Sequence, residues 1–163
     1  MSGLWSVLEA LKSRGGFAYT AACFATILVV SLPLVIMSPP VGVSRDEAMI
    51  VWVAIGFLLP VFETWLLQDC LQEALCRRGV GRRWRVGISW AAFALLHASS
   101  VPKLLLAGGV QGFLYAATYA VWRPEGRSRA FAAVLYLHLL ANNLLLWLPM
   151  LLVADPQGQA GSS

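Results

Sequence analysis

Three residues able to take or give a proton stand on three separate apolar stretches: Glu63 in Leu58-Leu-Pro-Val-Phe-Glu63-Thr64-Trp-Leu-Leu-Gln68, His97 in Phe93-Ala-Leu-Leu-His97, and His138 in His138-Leu-Leu-Ala-Asn142. Between Ala48 and Leu67 Glu63 is the only charged residue, in a stretch about as long as a helix needs to cross a hydrocarbon core. A carboxylate at such depth costs at least about 2.5–3.5 kcal/mol on insertion scales, so acids there usually face the protein interior and act. Read as one site, the carboxylate beside an imidazole is suited to removing a proton from water. His138 and Asn142 are four apart, so a helix presents them on one face, and both can donate hydrogen bonds to a developing oxyanion. General base, polarising histidine and two oxyanion donors are the minimal set for amide hydrolysis without a covalent intermediate.

The same residues carry other readings. Glu63, His97 and His138 are also a two-histidine, one-carboxylate set that would hold zinc with a metal-bound water. Taken singly, Glu63 is compatible with a polar contact inside a helix bundle, His97 with a satisfied histidine at a helix end, and Asn142 and Asn143 with interhelical glue. Gln72, Gln111 and Asp69 are assigned to packing or the membrane interface. A non-catalytic binding or immunity protein would need none of this chemistry.

The elements that must position these residues are membrane helices. Of 163 residues 59% are hydrophobic and only 12% charged, with mean hydropathy +0.71. That lies outside the soluble range and points to an all-α, polytopic transmembrane bundle of one domain. The net charge of +4 does not indicate nucleic acid, because the basic residues cluster in short loops between apolar runs. Three cysteines, Cys23, Cys70 and Cys76, with no C-x-x-C, signal neither a disulfide framework nor a zinc knuckle.

About five spans are expected. Residues 1–16 form an N-terminal interfacial segment, with Leu4, Trp5, Leu8 and Leu11 at helical spacing. The helical domain covers 17–153, and 154–163 is a polar, disordered tail. The spans are 17–37, a second from Ala48, 86–98, 104–122 and 130–153, with a polar turn over 38–47. Gly56 and Pro60 allow the second to bend about one turn before Glu63. The third is short for a full span, so it starts earlier, near Trp84, or ends inside the bilayer; Ser99, Ser100 and Pro102 put His97 near its end. In the fourth, Gly108, Gly112 and Ala116 at four-residue spacing allow close helix approach.

Arginines and lysines set the orientation. Lys12 and Arg14, the loop arginines 77, 78, 82, 83 and 85, and Arg123, Arg127 and Arg129 fall on one side of the five-span arrangement, against Arg45 and Lys103 on the other. The positive-inside rule then places the N-terminus in the cytoplasm and the C-terminus outside. His138 follows Arg129 by nine residues, about 14 Å of helix, and His97 follows Arg85 by twelve, about 18 Å, so Glu63 and both histidines can share one depth.

In this order, Glu63-Thr64-x-x-x-Gln68, Phe93-x-x-x-His97 and His138-x-x-x-Asn142 resemble the E-E-x-x-x-R, F-x-x-x-H and H-x-x-x-N motifs of the CPBP (Abi) family of intramembrane endopeptidases. That family includes the type II CAAX prenyl proteases, and the resemblance covers roughly residues 58–145. It implies that Glu63 is the catalytic glutamate, that His97 helps it activate water, and that His138 and Asn142 stabilise the oxyanion, with Thr64, Gln68 and Phe93 in support. It further implies no cofactor, a membrane-anchored peptide or protein substrate, and a bacterial inner membrane. A C-terminal sorting signal, as in the myxosortase branch, or a bacteriocin-related peptide fits that substrate class. Thr64 and Gln68 depart from the pattern, standing where the family has a second Glu and an Arg. Four apart, they are expected to form a neutral pair on one helix face, replacing both charged partners together. A proton-coupled carrier is disfavoured, since five spans without an inverted repeat do not suggest one.

Overall fold

Breaks in the apolar pattern, several of them glycines, divide the chain into helices. Gly15 and Gly79 hold left-handed backbone (φ +112° and +75°), which a side chain would strain, and each turns the chain sharply between two helices. The computed structural model describes residues 2–37, 50, 52–101 and 104–153. Among them six helices run in order: α1 Ser2–Ser13, α2 Gly16–Met37, α3 Ala54–Arg77, α4 Arg82–Leu96, α5 over 104–122 and α6 Arg127–Val153. No strand occurs among the described residues, so the class is all-α, as the composition implies. The turn at 38–47, the tail at 154–163, Arg45 and Lys103 lie outside the described residues.

The helix carrying His97 starts earlier than the apolar run alone indicates, at Arg82, and stops at Leu96, so His97 is its C-cap. α3 continues past the apolar run to Arg77. Among the described residues it is the one helix both long and apolar enough to cross a membrane. Its polarity is inverted relative to a soluble helix: Ile55, Leu58, Val61, Phe62 and Trp65 are exposed, while Glu63, Thr64 and Gln68 are buried. An exposed apolar face with polar groups turned inward suits a lipid surround. Wide, π-type turns over Ala54–Leu58 and Thr64–Cys70 flank the ordinary helical turn that ends at Glu63, and a third such stretch, Leu104–Gln111, opens α5. Such turns recur at functional sites because they re-aim side chains without breaking the helix.

α6 packs against α2, α3 and α5, and α5 packs in turn on α4. Tyr19 and Ile27 of α2, Phe93 of α4, Tyr115 and Tyr119 of α5 and Leu137 of α6 fill the centre. The small-residue face of α5 does what its spacing promises. A Cβ at Gly108 would sit 2.8 Å from the Cα of Ala94, and one at Gly112 would sit 2.6 Å from the Phe93 ring, so α4 and α5 touch only because both are glycine. α1 is docked onto the bundle: Leu8 is buried, Lys12 donates to the Val121 carbonyl (3.0 Å) and pairs with Glu125 (2.8 Å), and Arg82 reaches Glu9 (2.9 Å).

Candidate functional site

α3, α4 and α6 bring Glu63, His97 and His138 together. The Glu63 side chain is buried, the residue 8% exposed, and its two carboxylate oxygens face different histidines. His97 Nε2 lies 3.9 Å from Oε1, and His138 Nε2 lies 3.4 Å from Oε2.

Each imidazole is held by its other nitrogen. His97 Nδ1 is 2.9 Å from the Phe93 carbonyl. A carbonyl oxygen only accepts, so Nδ1 carries the proton, and in the neutral ring Nε2 presents a lone pair to Glu63. The break of α4 at Leu96 makes this contact possible, since the ring folds back over the last turn of its own helix. Phe93 stacks on His97 with centroids 4.3 Å apart and planes 15° from parallel. His138 Nδ1 is 3.2 Å from the Thr64 hydroxyl, and the ring lies between Tyr115 (4.3 Å) and Phe93 (5.8 Å).

Asn142 is one turn along α6 from His138, and its amide donates to the Ile55 carbonyl at 3.2 Å. The adjacent Asn143 donates to the carbonyls of Gly56 (3.0 Å) and Leu139 (2.8 Å) and accepts from Trp52 Nε1 (2.8 Å). Two asparagines thus tie the wide first turns of α3 to α6. Gly56 keeps this contact unstrained, because a Cβ would lie a tight 3.2 Å from Asn143 Oδ1.

The expected Thr64–Gln68 pair is not formed. Thr64 turns to His138 on α6, whereas Gln68 Oε1 accepts from Gln72 (3.1 Å) and from Ser89 of α4 (2.7 Å). Gln72 also donates to the Ala116 carbonyl at 3.1 Å. The wide turns over Thr64–Cys70 change the angular spacing on which an i,i+4 pairing depends, and the two side chains take different neighbours.

Asp69 is more than an interface residue. Arg127 grips it through both carboxylate oxygens (2.8 and 2.7 Å), Arg123 grips Glu73 in the same way, and the Tyr119 hydroxyl sits 2.7 Å from Asp69 and 3.0 Å from Glu73. Glu73 holds Arg123, in the turn after α5, still more firmly in its charged form. The sequence does carry a signal for this cluster: two acids four apart on α3 and two arginines four apart around the basic turn after α5. It closes the site at one end and locks α3 to α5 and α6.

Among the described residues, no three His, Cys, Asp or Glu form a group arranged to hold a metal ion. What the three helices gather is a buried carboxylate between two oriented imidazoles, with amide and hydroxyl groups around them.

A protein-family model described as type II CAAX prenyl endopeptidase Rce1-like matches residues 45–144, a segment that contains every residue of this site. No curated protein and no solved structure matches the chain.

Proposed function

The chain belongs to the Rce1-like family of type II CAAX prenyl endopeptidases, membrane proteases, and on that premise we propose a division of labour among its site residues. It hydrolyses a peptide bond next to a membrane-anchored segment, with water as nucleophile and no covalent intermediate. The observation that carries this reading is the pair of histidines on opposite oxygens of one buried carboxylate.

His97 Nε2 and Glu63 Oε1 are both acceptors, and 3.9 Å is too far for a direct hydrogen bond. It suits one water donating to both, which leaves a lone pair on its oxygen free to attack. Glu63 takes the proton as the oxygen adds to the peptide carbonyl carbon. The negative charge then develops on the carbonyl oxygen. His138 serves it if Nε2 carries a proton, the tautomer that results when the Thr64 hydroxyl donates to Nδ1. The Asn142 amide has a second N–H beside the one given to Ile55, and that hydrogen completes the oxyanion pair. Collapse breaks the C–N bond, and Glu63 returns its proton to the leaving amine.

On this reading Thr64 takes up a task that does not require a second carboxylate, which accounts for its departure from the family pattern. Gln68 acts at one remove, as part of the neutral network with Gln72 and Ser89 behind the site. The substrate is a peptide close to a membrane-anchored C-terminus, and a sorting or processing signal in a bacterial inner membrane fits that description. The reaction runs without a metal, so a chelator leaves the rate unchanged; loss of activity restored by zinc would move Glu63, His97 and His138 to a ligand role. Comparative proteomics of a deletion strain tests the substrate class. One membrane-anchored precursor should accumulate with its C-terminal segment intact, and an unchanged membrane proteome would refute processing.

A further inference from the structure

Gly87 differs from the glycines at which α4 and α5 touch. A Cβ at Gly108 or Gly112 would come within 3.0 Å of an atom of α4, whereas one at Gly87 would meet nothing within 4 Å. It stands inside α4, where glycine is a poor helix former, yet among the described residues none fills the space it leaves. That space belongs to an apolar pocket of about 110 Å³ lined by Val86, Gly87, Trp90 and Phe113 and bounded by Trp5 and Arg83. Trp5 and Arg83 also line a wider cleft of about 500 Å³ between α1 and the start of α4, together with Glu9 and Arg82.

The two spaces differ in chemistry. In the cleft, Arg82 is already satisfied by Glu9 (2.9 Å) and by the Trp5 ring, 4.1 Å from its guanidinium carbon. Arg83 is exposed and has no hydrogen-bond or ion-pair partner among the described residues. Next to it, Trp84 is 73% exposed, the disposition of an aromatic anchor at a membrane–water boundary. An unpaired guanidinium above a narrow apolar slot calls for an anion with a hydrocarbon chain attached.

The geometry points to an anionic phospholipid bound between α1 and α4, its phosphate on Arg83 and one acyl chain lying in the slot over Gly87. Basic groups beside membrane helices attract acidic headgroups, and the slot adds what a bare basic patch lacks, a place for the chain. The site is separate from Glu63 and its histidines, so its test does not depend on catalysis.

Thermal unfolding of the full chain in neutral detergent is followed by tryptophan fluorescence with phosphatidylglycerol, with phosphatidylcholine of the same chains, or with inorganic phosphate. Phosphatidylglycerol should raise Tm by about 5 °C near saturation, and the other two should not. Arg83→Gln, an exposed change that leaves the fold intact, should weaken the phosphatidylglycerol response about fivefold, the value of one basic group at an acidic surface. Gly87→Leu starts from a Cβ in open space and extends into the slot, so it should abolish the response while leaving the lipid-free Tm equal or higher. Arg78→Gln, an exposed arginine outside both spaces, should behave as wild type. Equal shifts from both lipids would overturn the headgroup assignment. An equal shift from phosphate alone would mean a simple anion site, and an undiminished response in Gly87→Leu would overturn the acyl slot.

Discussion

Adding one methyl group at Gly112 should disable the site from a distance. The new Cβ would lie 2.6 Å from Phe93 Cδ1, 3.1 Å from Cγ and 3.3 Å from Cβ. Ordinary carbon contacts are about 3.5–4.0 Å, so the ring must retreat by roughly 1 Å. Phe93 is 1% exposed and closed in by Tyr115 (centroids 5.6 Å), His138 (5.8 Å) and His97 (4.3 Å), which leaves it nowhere empty to go. Overpacking of this kind destabilises by about 1–3 kcal/mol. The displacement passes to His97, whose nitrogen must stay on the far side of a water from Glu63, and a misplacement near 1 Å can lower a rate on the order of a hundredfold. Cleavage of the accumulating membrane-anchored precursor and thermal stability in detergent would be measured for Gly112→Ala and for Gly112→Ala/Phe93→Leu. The double variant replaces the flat ring by a smaller, branched side chain that can turn away from the new Cβ, so part of the stability should return while activity, without the stacked ring, stays low. Gly112→Ala with wild-type rate and stability would show that the glycine does not position Phe93.

Two further substitutions probe the supporting residues. Thr64→Val removes the partner of His138 Nδ1 and leaves a buried ring nitrogen unpaired, at about 1–3 kcal/mol; Thr64→Ser should recover both stability and rate, which peptide cleavage and detergent melting would check. Arg127→Ala strands Asp69 beside Tyr119; because the Arg127 side chain is 47% exposed, Tm should fall by less than for a fully buried pair, and Asp69→Asn in the same chain should recover part of the loss in melting experiments.

Helix placement and the meeting of Glu63 with two histidines were legible because they rest on apolar period, on segment order and on the rarity of ionisable groups at depth. His97 at a helix end followed from the polar residues after it. The partners of Thr64 and Gln68 were not legible, since an i,i+4 argument assumes 3.6 residues per turn and α3 widens over Thr64–Cys70. The Asp69–Glu73–Arg123–Arg127 cluster was only weakly legible for a different reason. Basic residues flanking an apolar run explain membrane orientation so readily that the matched four-residue spacing of two acids and two arginines does not by itself announce a pairing fifty or more positions apart. Nor does sequence spacing distinguish a glycine that admits a neighbour, such as Gly112, from one that admits none among the described residues, such as Gly87.

The central claim is that the Glu63 carboxylate is the base that activates water. Single-turnover cleavage by purified Glu63→Gln beside wild type tests it most directly, with detergent melting of both as the control. A neutral amide fits this buried position at least as easily as a carboxylate, so the fold should hold. Without a base the rate should fall by about 10²–10⁴ or more. Wild-type turnover by a folded Glu63→Gln protein would remove Glu63 from the chemistry and contradict the account.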